Sequence, residues 1–172
     1  MLLTEFRGLI TSSSGLRRSG SLLITVGIPG SGKSTTVRAL LAGLNHTVIN
    51  ADLVREELLG DASSMEKGGW VWDTIDERYG AAIRSDTPYV ALDFMNLRAR
   101  DRKKYILPAL SLGRVVHLLF FPIEAKRAIY HQSLRGRRVP GNVIEEKANK
   151  MQMASEYEIN NCKVYIVRWS LD

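Results

Sequence analysis

Nine residues limit what this chain can fold into more than any other stretch: Gly27-Ile28-Pro29-Gly30-Ser31-Gly32-Lys33-Ser34-Thr35. They match the spacing G-x-x-x-x-G-K-[ST]. Glycines at these places let the backbone turn so that successive N–H groups face inward as an anion nest. The helix that follows adds the positive end of its dipole. Pro29, Gly30, Ser31, Gly32, Lys33, Ser34 and Thr35 are therefore the expected contacts of a bound triphosphate. Lys33 would reach the β- and γ-phosphates, and the Ser34 hydroxyl would ligate Mg²⁺. The competing reading is a chance glycine-rich turn. It leaves unexplained why the loop follows a continuous apolar run, Leu22–Val26, and opens a helical pattern, Lys33–Leu44. The spacing is shared by chains that transfer, hydrolyse or merely sense a nucleotide.

The remaining pattern alternates short apolar strands with longer helical stretches. Strands are expected at Thr47–Ile49, at Tyr89–Leu92 ending in Asp93, at Val115–Phe120 and at Lys163–Val167. Helices are expected over Asp52–Leu59, Met65–Arg84, Ala99–Leu112, Glu124–Leu134 and Asn142–Tyr157, with a basic connection at Arg135–Pro140. Such alternation means a parallel sheet covered on both faces, and such sheets bind ligands beyond the carboxyl ends of their strands. Gly27, Asn50, Asp93 and Pro122 fall at those ends. Residues 11–21 are rich in Ser and Gly, so residues 1–20 are expected as a flexible N-terminal arm and 21–172 as one domain, with a lid around 134–141. The longest apolar runs, such as Val115–Phe121, are too short to span a bilayer, and the N-terminus lacks a signal layout. A cytoplasmic location with no membrane partner is expected. Cys162 is alone and reads as a small core residue. His46, His117 and His131 join no constellation and are assigned structural roles. Trp70 and Trp72 read as core rather than as a base-stacking platform.

Two carboxylates and a set of cations carry the remaining chemistry. Asp52 follows the second strand, on the same rim as the cradle, where a hydroxyl acceptor needs a base or an orienting acceptor group. Arg55 lies on the same helical face and can hold an acceptor anion bidentately. The competing reading has Asp52 capping its helix and Arg55 pairing with it or with Glu56. Asp93 ends the third strand, the usual place for an acid near Mg²⁺; the plainer alternative is a turn-forming Asp. Asn96 follows, then Arg98, Arg100, Arg102, Lys103 and Lys104, a run that either tracks a phosphate backbone or forms a solvated helix face. Arg135 is the candidate for a lid arginine on the transferring phosphoryl group, and Arg137 and Arg138 for gripping nucleic acid.

Taken together, GIPGSGKST, INADLVREELLGD, ALDFMN and RGRRVPGNVIEEKANKMQ resemble the bacteriophage-type polynucleotide 5′-hydroxyl kinases and related bacterial P-loop kinases. The resemblance covers residues 22–157. It implies an α/β P-loop NTPase fold of three αβα layers, nucleoside-monophosphate-kinase-like, with five parallel strands in the order 2-3-1-4-5. It implies that Lys33 and Ser34 hold the donor phosphates and metal, and that Asp52 is the general base on the 5′-hydroxyl. Arg55 would contact the adjacent phosphate, Asp93 and Asn96 would serve the acceptor site, and Arg135 would sit on the donor phosphates. The chain departs from the pattern at Asp93-Phe94-Met95-Asn96, where relatives often carry a threonine before the asparagine, and at His131-Gln132, where they often carry Arg-Asn.

The expected activity is thus Mg²⁺-dependent transfer from ATP to a hydroxyl, foremost the 5′ end of a nucleic acid. The net charge of +6 suits such an anionic partner. A small-molecule kinase, including the toxin-like kinases of nucleotide sugars, and a nucleotide-binding regulatory module without transfer activity are the alternatives.

Overall fold

Apolar segments that read as strands in the sequence pair side by side into one sheet. The computed structural model describes residues 3–14, 20–61, 68–134 and 139–168. In chain order the elements are α1 (Leu3–Ser14), β1 (Ser21–Val26), α2 (Lys33–Leu41), β2 (His46–Asn50), α3 (Ala51–Leu59), α4 (Gly68–Arg84), β3 (Tyr89–Asp93), α5 (Ala99–Ser111), β4 (Val115–Phe120), α6 (Ala125–Ser133), α7 (Gly141–Asn149), α8 (Glu156–Asn161) and β5 (Lys163–Ile166). The strand order is β2-β3-β1-β4-β5, and every pairing is parallel. This is the P-loop NTPase arrangement expected above.

β1 and β3 are buried along their whole length, which explains their unbroken apolar runs: a strand covered on both faces has no polar side to show. Alternate residues still serve different layers. Leu22, Ile24 and Val26 pack with Val54, Val71, Ile75 and Tyr105 from α3, α4 and α5. Leu23 packs on the other face with Val37, Leu40 and Leu41 of α2 and with Ile10 of α1. The segment read as an N-terminal arm thus contributes a fully buried side chain, and Arg7 of the same helix donates to the Ala42 carbonyl at 2.6 Å.

Two helix boundaries differ from the sequence reading. α2 stops at Leu41, ahead of Gly43 at φ +72°. The single helix expected over Asn142–Tyr157 is broken between α7 and α8. Arg102 sits at the break. Its guanidinium is fully buried, is bonded to both oxygens of Glu158 at 2.6 and 2.9 Å, and also donates to the carbonyls of Asn96, Leu97, Gln152 and Met153. Carbonyls turned toward Arg102 leave the helical ladder, and Ser155 then starts α8 with a capping box to Glu158. Arg102 was read as one of a run of solvated or phosphate-tracking cations; it is instead the central tie of this corner.

Candidate functional site

The cradle is built where β1 ends and α2 begins. Gly30 and Gly32 take φ of +83° and +90°, a region in which a side chain is strained. Gly32 is the N-cap of α2, and no side chain caps that helix. Its first N–H groups therefore stay available to an anion, in contrast to α3, where the Asn50 side chain accepts from the amides of Asp52 and Leu53 at 2.9 and 3.1 Å. Lys33 is buried, and its ammonium donates to the Ile28 carbonyl at 2.7 Å and reaches the Ser31 hydroxyl at 3.5 Å. A phosphate group competes for that same ammonium. Ser31 is buried, Pro29 and Ser34 half-buried, and Thr35 exposed.

The sheet order sets three strand ends side by side: β1 with the cradle, then β3 with Asp93, then β2 with Asn50. Asn50 and Asp93 are register partners, and the Asn50 amide donates to Asp93 Oδ2 at 2.7 Å. Asn50 thus performs two tasks, capping α3 and fixing Asp93. Asp93 is buried, and its Oδ1 has no hydrogen-bond partner among the described residues. A buried carboxylate oxygen left open in this way costs free energy unless something fills its coordination. On the strand next to the one that feeds the cradle, it suits a Mg²⁺ ion held mainly by phosphates and water, which needs only one or two protein ligands. Among the described residues no group of three or more His, Cys, Asp or Glu could hold a metal ion.

Asp52 stands on the first turn of α3 with 59% of its side chain exposed, and Arg55 donates to its Oδ1 at 3.0 Å. The helix cap is Asn50, not Asp52, so that half of the competing reading is replaced, while the Arg55–Asp52 pair is the one that reading expected. Asn96 was expected at the acceptor. It is buried at φ +47°, and its amide donates to the Thr25 carbonyl of β1 at 3.0 Å, while Gly27 N donates to the Met95 carbonyl at 3.0 Å. In this structure its side chain stitches the segment after β3 onto the cradle's root. Arg135, Arg137 and Arg138 lie outside the described residues.

Sequence reading missed two features here. His131 of α6 places Nδ1 3.0 Å from the Gly30 carbonyl, and a Cβ on Gly30 would lie 2.5 Å from the Ala128 carbonyl. α6 therefore seats directly on the tip of the cradle. The only signal was the departure at His131 from the related sequences. Trp70 and Trp72, read as core, are 49% and 41% exposed, while Val71 between them is fully buried. Neighbouring helical positions point about 100° apart, so burying Val71 sends both indoles to the flanks. A cavity of about 230 Å³ between α4 and α5, lined by Asp76, Tyr79, Arg84, Lys104 and Tyr105, has no cradle residue in its wall. Among the described residues no helix is long and apolar enough to cross a membrane.

A family model described as an AAA domain matches residues 22–157. Among solved structures, the chain resembles one from the Pnkp1/Rnl/Hen1 RNA repair complex at 20% identity and TM-score 0.67, with 78% of this chain and 44% of that one covered. It thus spans less than half the length of that relative. A gluconokinase from Sinorhizobium meliloti is similar at 19% identity and TM-score 0.58, over 90% of this chain and 86% of that one. Kti12 from Chaetomium thermophilum, solved with ADP-AlF3, is similar at 16% identity and TM-score 0.59, over 88% and 90%. At these identities the likeness is one of fold. No curated protein sequence matches the chain.

Proposed function

The chain belongs to the AAA domain family, and from this premise we propose that it is a Mg²⁺-dependent kinase moving the γ-phosphoryl group of ATP to the 5′-hydroxyl of a polynucleotide. A P-loop kinase-like domain of this type binds a nucleotide, typically with Mg²⁺. The observation that carries the transferase reading is the rim itself. An exposed carboxylate, Asp52, stands on the first turn of the helix that follows β2, a strand two spacings, about 10 Å, from the one that feeds the cradle. Between them lies the buried, half-satisfied Asp93. A triphosphate gripped by its inner phosphates extends its outer one along this rim.

In the reaction the acceptor oxygen forms a bond to the γ-phosphorus, the bond from phosphorus to the β–γ bridging oxygen breaks, and ADP leaves with that oxygen. Asp52 takes the hydroxyl proton or holds the hydroxyl in line, and Arg55 orients the carboxylate while its guanidinium serves the acceptor's neighbouring phosphate. Lys33 follows the β- and γ-oxygens and cancels charge as it develops. The Ser34 hydroxyl and Asp93 Oδ1 would hold Mg²⁺, which when bound would supply neutralising charge at the phosphate oxygens. Arg135, which follows α6 in the sequence, is proposed as the lid arginine on the donor phosphates.

The test is transfer from γ-labelled ATP to oligonucleotides ending in a 5′-hydroxyl or a 5′-phosphate. Label is expected on the hydroxyl form alone, and Asp52→Ala should lower the rate by about 100-fold or more while ATP still binds. The gluconokinase likeness, which spans most of both chains, keeps a small polyol as the rival acceptor. Label on a sugar acid and none on either oligonucleotide would replace the polynucleotide by that class. Nucleotide binding with no transfer to any acceptor would leave only a regulatory module.

A further inference from the structure

Trp72 is the outer end of an aromatic chain that runs from the core to the rim of the site. Tyr79 and Tyr105 meet edge to face at 5.0 Å, Tyr105 and Phe94 at 5.7 Å, and Phe94 and Trp72 at 5.5 Å. The two tyrosines are buried, Phe94 is half-buried, and Trp72 is 41% exposed. Phe94 directly follows Asp93. The indole is therefore propped, by a rigid neighbour, beside the strand end at which the acceptor hydroxyl must arrive. α4 does not need this ring for its own packing, because Val71, Ile75, Tyr79, Ala82 and Ile83 already fill its buried stripe.

The segment that leads from Phe94 into α5 also carries Arg98, half-buried, and Arg100, exposed. A half-exposed indole packed on a segment that also carries cations is a combination that suits single-stranded nucleic acid, by stacking on one base while the cations meet the phosphates. A nucleobase offers a flat π-face of a size that matches the indole, which an open-chain polyol lacks. Resting on the kinase reading above, we propose that Trp72 stacks on the nucleobase of the acceptor's terminal nucleotide and makes the enzyme select a base-bearing 5′ end.

Two acceptors decide this: a single-stranded hexanucleotide with a 5′-hydroxyl, and the same oligonucleotide with its first nucleotide abasic. Wild-type protein should use the base-bearing end about 10-fold better in kcat/KM. Trp72→Ala should bring the two acceptors together, through KM for the base-bearing one and not KM for ATP. Trp72→Phe, which keeps a ring, should retain most of the preference. Equal use of both ends by wild type, or a full preference surviving in Trp72→Ala, would overturn the subsite while leaving the kinase reading standing. If no 5′-hydroxyl end is phosphorylated at all, the kinase reading fails. The subsite is then judged by fluorescence anisotropy of the two 3′-labelled oligonucleotides: tighter binding of the base-bearing one that Trp72→Ala removes upholds it, and equal binding overturns it.

Discussion

Lys33 was legible because a single short spacing places an ammonium among backbone amides, and local motifs of this kind need no tertiary information. Asp52 and Asp93 were legible for a related reason: each ends or follows an apolar strand, and a parallel sheet brings such ends to one rim. Asn50 was legible as a strand-end residue, but its bond to Asp93 and the bond of His131 to Gly30 were not, because the partners are distant in sequence. Asn50 serves Asp93 across 43 positions and His131 serves Gly30 across 101. The His131 contact has a measurable consequence. With Nδ1 against a carbonyl, the imidazole donates and holds the Gly30 carbonyl turned out of the nest, so that the following amides point inward. One neutral hydrogen bond contributes about 1 kcal/mol. His131→Ala is thus expected to weaken nucleotide affinity about fivefold in a calorimetric titration with a non-hydrolysable ATP analogue. Affinity equal to wild type would show that the contact does not shape the cradle. Gly30→Ala should be far worse, because a methyl group there meets the Ala128 carbonyl at 2.5 Å and the residue must also hold φ +83°.

Among the elements, those with a clean apolar period emerged near their observed bounds, whereas the corner joining α5, α7 and α8 did not. The run Arg98 to Lys104 looks like one solvated face, and nothing local separates Arg102 from its neighbours. Only Glu158, 56 positions away, marks it as buried. Burial alone would raise the Glu158 carboxyl, but hydrogen bonds from Arg102, and then from the Ser155 amide, outweigh it and hold the group below its ordinary value. Removing one member leaves a buried, uncompensated charge, a loss of about 3–5 kcal/mol. Glu158→Leu and Arg102→Met should each lower stability by that order in urea unfolding. The double variant Arg102→Met, Glu158→Leu should cost clearly less than the two losses combined, because no lone charge remains. Full additivity would mean that the pair does not hold the corner together.

For the molecule as a whole, the sheet order followed from the resemblance, and the burial of both faces from the unbroken apolar strands, but one cost of that burial is invisible in the sequence. His117 lies in β4 between β1 and β5, fully buried, stacked over Tyr165 with ring centroids 5.9 Å apart, and both ring nitrogens lack a hydrogen-bond partner among the described residues. Lys163 is its register partner on β5. Burial first, and the Lys163 charge second, push its pKa down from 6.5 to about 4. The imidazole is therefore neutral in the folded protein over a range where the unfolded chain takes up a proton. Above pH 6.5 the two states bind the same number of protons at this group and it adds no pH dependence. As the pH falls from 6.5 toward about 4, the unfolded state gains, and roughly 3 kcal/mol of stability is lost. Glu158, with its lowered pKa, behaves differently: its contribution is intact down to the ordinary carboxylate value of 4.5 and fades as the pH falls below it. Acid unfolding should then begin on the histidine limb before the Arg102–Glu158 pair weakens. His117→Phe should flatten the stability curve between pH 6.5 and the carboxylate value of 4.5 in urea titrations at a series of pH values, while leaving the steeper loss at lower pH in place. A variant whose curve keeps the wild-type slope over that window would show that some other group carries the proton uptake.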